Sequence, residues 1–185
     1  VTGVQTCALP IFHLSEEGRH ALGGLLTHSA GAMLVNGSTV NSYKRYWDAG
    51  QFAPSRIDWG LDNKTCTVRL SANGRLEYKL PDAAVNPYLS HAVMIAACED
   101  GLKNAIDPGA PTVGSSYDTP QDARFPRLPM TLGEAIVAFQ DDEVLTSALG
   151  EELSQLLVDF HADEWARFCG AVTDWERSTY WDDAP

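Results

Sequence analysis

The stretch Cys66-Thr67-Val68-Arg69-Leu70, followed after Asn73-Gly74 by Arg75-Leu76-Glu77-Tyr78-Lys79-Leu80-Pro81-Asp82, decides how this chain is read. Arg75, Glu77 and Lys79 alternate with Leu76, Tyr78 and Leu80, which is the period of a strand with one packed and one open face. In the segment before it, Cys66, Val68 and Leu70 alternate with Thr65, Thr67 and Arg69. Asn73-Gly74 is a turn signal, so the two segments read as a hairpin with Arg69 on the face of Arg75, Glu77 and Lys79. Cations then surround a single carboxylate. Such a face is a floor for a metal ion and a phosphate, and equally an ordinary solvated face laced by cross-strand ion pairs.

Working outward, a third short strand is expected at about residues 56–59, set off by the turn residues Asp62-Asn63. Upstream, Ser15 with Glu16 and Glu17 opens a helix that continues to Leu34 and stops at Asn36-Gly37. The glycines of that helix predict close packing on a neighbour. A loop with Lys44, Arg45, Trp47 and Pro54 follows. Downstream, Pro81 ends the strand pattern, and Asn86-Pro87 starts a helix running from Tyr88 to about Ile106. The proline-rich segment from Asp107 to Met130 reads as a long surface loop. Helices over 132–140, 142–149 and 151–172, with a last turn at 175–180, complete an α+β fold of antiparallel strands (about 55–80) packed with helices.

Composition narrows the function. At 185 residues, 44% of them hydrophobic, the chain can bury one core. The mean hydropathy is −0.18 and no apolar run approaches the ~20 residues that span a bilayer, so no membrane role is expected. A net charge of −12 argues against nucleic acid. The residues from Asp141 onward carry 12 acidic and 2 basic side chains, read as solvated helical surface. Against that background Lys44, Arg45, Lys64, Arg69, Arg75 and Lys79 concentrate near Glu77. Cations gathered against the global charge point to an anionic ligand, a nucleotide polyphosphate or a carboxylate. Glu77 among them suits Mg²⁺, which prefers carboxylate and phosphate oxygens.

The other chemistry-bearing residues lack pattern. Cys7, Cys66, Cys98 and Cys169 are widely spaced without a C-x-x-C, which predicts no disulfide framework, no zinc site and a reducing, cytoplasmic setting. Cys98 reads as core. His28 lies in an apolar helix and reads as a satisfied packing residue, and His91 and His161 have no ligand spacing. No nucleophile elbow, P-loop or dinucleotide fingerprint is present. Tyr117 reads as an exposed loop residue.

Taken together, Asn41-Ser42-Tyr43-Lys44-Arg45, the hairpin ending in Pro81-Asp82, Asn86-Pro87-Tyr88-Leu89, the run from Glu99 to Pro108, Leu132-Gly133-Glu134-Ala135, the segment from Asp142 to Gly150 and Val172-Thr173-Asp174-Trp175-Glu176 resemble the C-terminal part of the glutamine synthetase catalytic domain. The resemblance covers about residues 18–181. It implies ATP-dependent phosphorylation of the γ-carboxylate of glutamate, attack by ammonia or an amine on the acyl phosphate, a Mg²⁺ or Mn²⁺ requirement, and homo-oligomers with sites between subunits. Carried over by motif, Glu77 ligates the metal, Arg45 clamps the glutamate α-carboxylate, and Lys79 stands near the substrate carboxylate. Lys64 contacts the transferring phosphoryl and the glutamate, and Arg69 and Arg75 hold nucleotide phosphates. Arg45, Lys64 and Lys79 are thus the catalytic candidates, and Tyr117 matches a tyrosine that some members adenylylate.

Three departures shape the expectation. Lys64 and Lys79 stand where the family usually has arginine, and lysine offers a point charge rather than a bidentate fork. Phe52, two residues before Pro54, fills a place where ammonia-using members usually carry glutamate, with Asp48 the nearest acid. An aromatic flap suits an alkyl or aryl amine, so a γ-glutamylamide-forming branch, or a non-catalytic binding subunit, stands beside glutamine formation. Residues 1–12 resemble a translated sequencing adapter. Residues 13–185 are then the C-terminal part of a catalytic domain, with the N-terminal domain and further metal ligands expected upstream.

Overall fold

The structure, a computed structural model, describes residues 14–47, 52–71, 74–118 and 126–181. The expected leader at 1–12, Asp48 and Asn73 lie outside the described residues.

Helix α1 (Glu16–Thr27) begins as the sequence dictates, with Ser15 Oγ accepting from Gly18 N at 3.1 Å. The single helix expected to Leu34 is two, because α2 (Ser29–Asn36) starts anew after a break at His28. Thr27 and Ser29 donate their hydroxyls back to Gly23 O and Leu25 O, which bends a helix, and the His28 ring is held by carboxylates from other elements. The expected loop after Gly37 contains a 3₁₀ segment, Val40–Trp47, that buries Tyr43 and Tyr46.

Strands β1 (Trp59–Leu61), β2 (Val68–Ser71) and β3 (Arg75–Tyr78) form one sheet in that order. The β2–β3 hairpin is antiparallel, with Arg69 opposite Glu77 and Leu70 opposite Leu76. One pairing differs from the antiparallel expectation, since β1 runs parallel to β2. Asp62, with φ 47°, turns the chain immediately after β1, and residues 62–67 swing back to start β2 on the same heading. The strand expected at 56–59 starts only at Trp59. Before it the backbone bonds instead with residues 126–128, through Ile57 N to Pro126 O and Leu128 N to Ser55 O.

Helix α3 (Pro87–Lys103) is capped by the Asn86 side chain and stops short of Ile106, because Ala105 adopts φ 49° and Ile106 N returns to Gly101 O. Helices α4 (Leu132–Gln140), α5 (Glu143–Leu149), α6 (Glu151–Cys169) and α7 (Asp174–Tyr180) follow the sequence closely, with α6 ended by Gly170 before Val172. The predicted close approach of the α1 glycines is real. A Cβ on Gly24 would lie on the Ala97 carbonyl oxygen, and one on Gly101 on the His20 carbonyl oxygen, so α1 and α3 touch backbone to backbone.

The core has two parts. Leu34, Val93, Leu132, Phe139 and Leu145 lie in a cluster built by α2 to α6, and Leu22, Leu26, Trp59, Val68 and Leu70 join α1 to the inner sheet face. Tyr78 packs against both. The outer sheet face is left to the charged residues. Among the described residues no helix is long and apolar enough to cross a membrane, and Cys66, Cys98 and Cys169 are free thiols.

Candidate active site

The alternation in β3 is realised. Arg75 and Glu77 are exposed, while Leu76 and Tyr78 turn inward. Arg69, opposite Glu77, donates from Nη1 to Glu77 Oε2 at 2.9 Å. Its Nε donates to Asp62 Oδ1 at 2.8 Å, and Nη2 closes on the same oxygen. The face therefore holds two acids rather than one. Asp62 was not singled out because it reads as a turn residue, and only the parallel return of β2 carries Arg69 to it.

Lys79 lies just past β3 and is half-buried. Its Nζ donates to Phe52 O at 2.6 Å and also to Lys64 O, so one ammonium ties the flap, the turn before β2 and the sheet together. Burial lowers its pKa. Arg45 and Arg69 push the same way, and Glu77 and Cys66 oppose them. Phe52 is held at φ 54°, a left-handed conformation rare for an aromatic residue, and the residue is 57% exposed.

Arg45 is half-buried at the end of the 3₁₀ segment. Its Nη2 donates to Leu80 O and, at 3.5 Å, to Lys79 O, and its guanidinium carbon lies 4.6 Å from the centre of the Tyr46 ring. Its Nε is buried without a hydrogen-bond partner. The Arg45 guanidinium thus faces the same chain segment as Lys79, with part of it committed to the backbone. Arg75 makes no ion pair among the described residues, and Lys64 is exposed. Lys64 lines a cleft of about 610 Å³, together with Phe52, Leu61, Thr65, Pro111 and Val113.

Tyr117 is not the free loop residue expected. It is half-buried and donates its hydroxyl to Ala53 O at 2.9 Å. His28 is satisfied, as expected, although by ions: Nδ1 lies 2.8 Å from Asp142 Oδ2 and Nε2 3.1 Å from Asp100 Oδ2. Sequence reading also passed over Asp58, a carboxylate 1% exposed beside the cleft wall.

The open sheet face thus carries Arg75 and the Arg69 guanidinium bonded to both Glu77 and Asp62, beside a cleft lined by Phe52 and Lys64. Residues 10–180 match the family model described as glutamine synthetase, catalytic domain. The chain belongs to the glutamine synthetase family. It is 39% identical over 174 residues to the glutamine synthetase of Rhizobium meliloti strain 1021, covering 91% of this chain and 40% of that protein. It is also 39% identical over 176 residues to the glutamate–methylamine ligase of Methyloversatilis universalis, covering 90% and 39%. A solved structure described as a GmaS/ADP complex in its first conformation superposes with a TM-score of 0.86 at 37% identity, covering 95% of this chain and 42% of that one. The chain thus spans about 40% of the length of the curated relatives it matches.

Family membership agrees with the α+β architecture. The residues also fit a divalent cation in a limited way. Among the described residues no group of three or more His, Cys, Asp or Glu side chains could hold a metal, so Glu77 offers a single carboxylate. One carboxylate completed by phosphate oxygens and water is a set Mg²⁺ accepts.

Proposed function

We propose that the full-length protein is an ATP-dependent carboxylate–amine ligase, which activates the γ-carboxylate of glutamate as an acyl phosphate and passes it to ammonia or a primary amine. The observation that carries this reading is the Arg69–Glu77 pair on an open cationic face, in a chain of the glutamine synthetase family. A carboxylate is a poor electrophile, and phosphorylation supplies a leaving group. The developing charge on the transferring phosphoryl must then be neutralised by fixed cations.

In this reading Glu77 holds the divalent ion, which when bound neutralises nucleotide phosphate charge. Arg69 and Arg75 hold those phosphates, and Asp62 fixes the Arg69 fork from its other side. Lys64, on the cleft wall, faces the transferring group. Arg45 receives the amino-acid carboxylate with donors it does not give to Leu80 O. The role of Lys79 shifts from direct clamp to support, since its ammonium already bonds the carbonyls of Phe52 and Lys64.

A primary amine is favoured over ammonium by Phe52, whose exposed ring joins Leu61, Pro111 and Val113 on the cleft wall. The similarity to a glutamate–methylamine ligase supports the same choice. The test is phosphate release by the full-length protein with ATP, glutamate and, in turn, ammonium, methylamine, longer alkylamines and aniline. Faster turnover with an amine is expected. Turnover with ammonium alone rejects the amine reading, and no turnover with any acceptor favours a non-catalytic binding subunit.

A further inference from the structure

Asp58 immediately precedes β1 and is 1% exposed, in a place where the sequence around it builds core. Burying a carboxylate is costly unless it is fully hydrogen-bonded, so its partners indicate its purpose. Oδ1 accepts from Thr67 N at 3.1 Å, at the entry to β2. Oδ2 accepts from Thr112 Oγ1 at 3.0 Å and from Ser116 Oγ at 2.6 Å. Both hydroxyls belong to the loop after α3, 54 and 58 residues further along the chain. Bonds to an ionised acceptor are shorter and about twice as strong as neutral ones.

The same loop is joined to the active-site segment at further points. Thr112 N donates to Trp59 O at 2.8 Å, and Asn63 Nδ2 donates to Gly114 O at 2.7 Å. Ser116 N donates to Thr65 Oγ1 at 2.8 Å, and that hydroxyl donates to Asn63 Oδ1 at 2.7 Å. Tyr117 Oη reaches Ala53 O beside the flap. Apart from the bond to Trp59, these land on Asn63 and Thr65, the two neighbours of Lys64, and on Ala53, the residue after Phe52. The loop is the template on which the Lys64 turn and the flap end are set, and Asp58 supplies its only buried ionic anchor among the described residues.

We propose that Asp58 is a positioning residue that fixes the loop at 112–117 through Thr112 and Ser116, and through that loop sets the Lys64 turn and the Phe52 flap that wall the cleft. The proposal rests on the ligase reading only for what the cleft binds.

The experiment compares the full-length wild type with Asp58→Asn, Thr112→Val, Thr112→Ser and Ser116→Ala in steady-state phosphate release. Misplacing a reacting group by about 1 Å can cost on the order of 100-fold. The expected result is therefore a kcat about 10–100-fold lower in Asp58→Asn and Thr112→Val, with KM for ATP within about threefold of wild type. Thr112→Ser keeps the hydroxyl and is expected to restore kcat to within about twofold of wild type. Should Asp58→Asn fail to fold, Thr112→Val, near-isosteric and lacking only the hydroxyl, decides the matter. A folded Thr112→Val with wild-type kcat overturns the proposal. If the wild type itself shows no turnover, the ligase reading fails and hydrogen exchange decides the positioning role. Faster exchange at the Thr112 and Ser116 amides in Asp58→Asn, and not in Ser90→Ala (which cuts the separate Ser90–Asn36 bond), supports it, and unchanged exchange overturns it.

Discussion

Arg69 and Glu77 face each other across the β2–β3 ladder, and the guanidinium that donates to Glu77 Oε2 on one side is held by Asp62 on the other. The pair is partly exposed, with 46% of the Glu77 side-chain surface open, so its effect on stability is small. It leaves the Glu77 carboxylate oriented, with one oxygen bonded to Arg69 and the side chain open to solvent.

Replacing Glu77 by Gln keeps an acceptor for Arg69 and removes the charge. Folding stability is expected to change by less than about 1 kcal/mol, as for exposed ion pairs. Mg²⁺-dependent turnover is expected to fall by at least the ~10–100-fold that follows loss of even an outer-shell metal partner. The checks are the urea midpoint and phosphate release against Mg²⁺ concentration. Undiminished turnover removes Glu77 from the metal role.

Lys79→Met strips the donor from the carbonyls of Phe52 and Lys64. Both acceptors belong to exposed residues and can turn to water, so the stability cost is small, but the left-handed backbone at Phe52 loses its restraint. Faster amide exchange around residues 52–54 and a raised KM for the amine are expected, with KM for ATP little changed. An equal rise in both KM values argues against a flap-specific role.

His28 links α1 and α2 to Asp100 on α3 and to Asp142, which also caps α5 by accepting from Leu145 N. Burial alone pushes the imidazole pKa down, but the bonds to Asp142 and Asp100 outweigh it and raise the pKa above its ordinary value. A raised folded-state value means that the stabilisation is fully present below the unfolded pKa of about 6.5 and is lost as pH rises through the folded value. Urea midpoints measured from pH 5.5 to 9 are expected to fall across that window, and His28→Gln is expected to flatten the fall. A decline unchanged in His28→Gln assigns it to other groups.

Gly24→Ala places a methyl group on the Ala97 carbonyl oxygen, with backbone on both sides and no side chain able to move away. Forcing α1 from α3 is expected to cost about 3 kcal/mol, the upper end for overpacking. Gly109→Ala, where a Cβ would meet nothing within 4 Å but φ is +72°, gives a control in which only backbone strain acts. Thermal melts of the two variants separate contact from conformation.

Much of this was legible in the sequence. Ser15 and Asn86-Pro87 placed helix starts because capping is a local bond between a side chain and the next turn, and the structure adds caps of the same kind at Thr131 and Thr173. The charged face of β3 was legible because strand alternation is local too. The break at His28 was not, although the hydroxyl bonds of Thr27 and Ser29 to the preceding turn are local, since the two aspartates that hold the ring lie far along the chain. Asp62 and Asp58 were passed over for the same reason. Each looks like a turn or edge residue until the parallel return of β2, and the loop after α3, bring its partners to it.

The order of amino acids alone determined the β2–β3 hairpin and most of the helices, that cations and Glu77 share one face, and which family the motifs resemble, because each is written in residues a few positions apart. The folded arrangement alone decided that Lys79 braces the flap, that Asp62 shares Arg69 and that Asp58 is buried under a distant loop. Those outcomes depend on bonds between residues many positions apart, whose geometry no local pattern encodes.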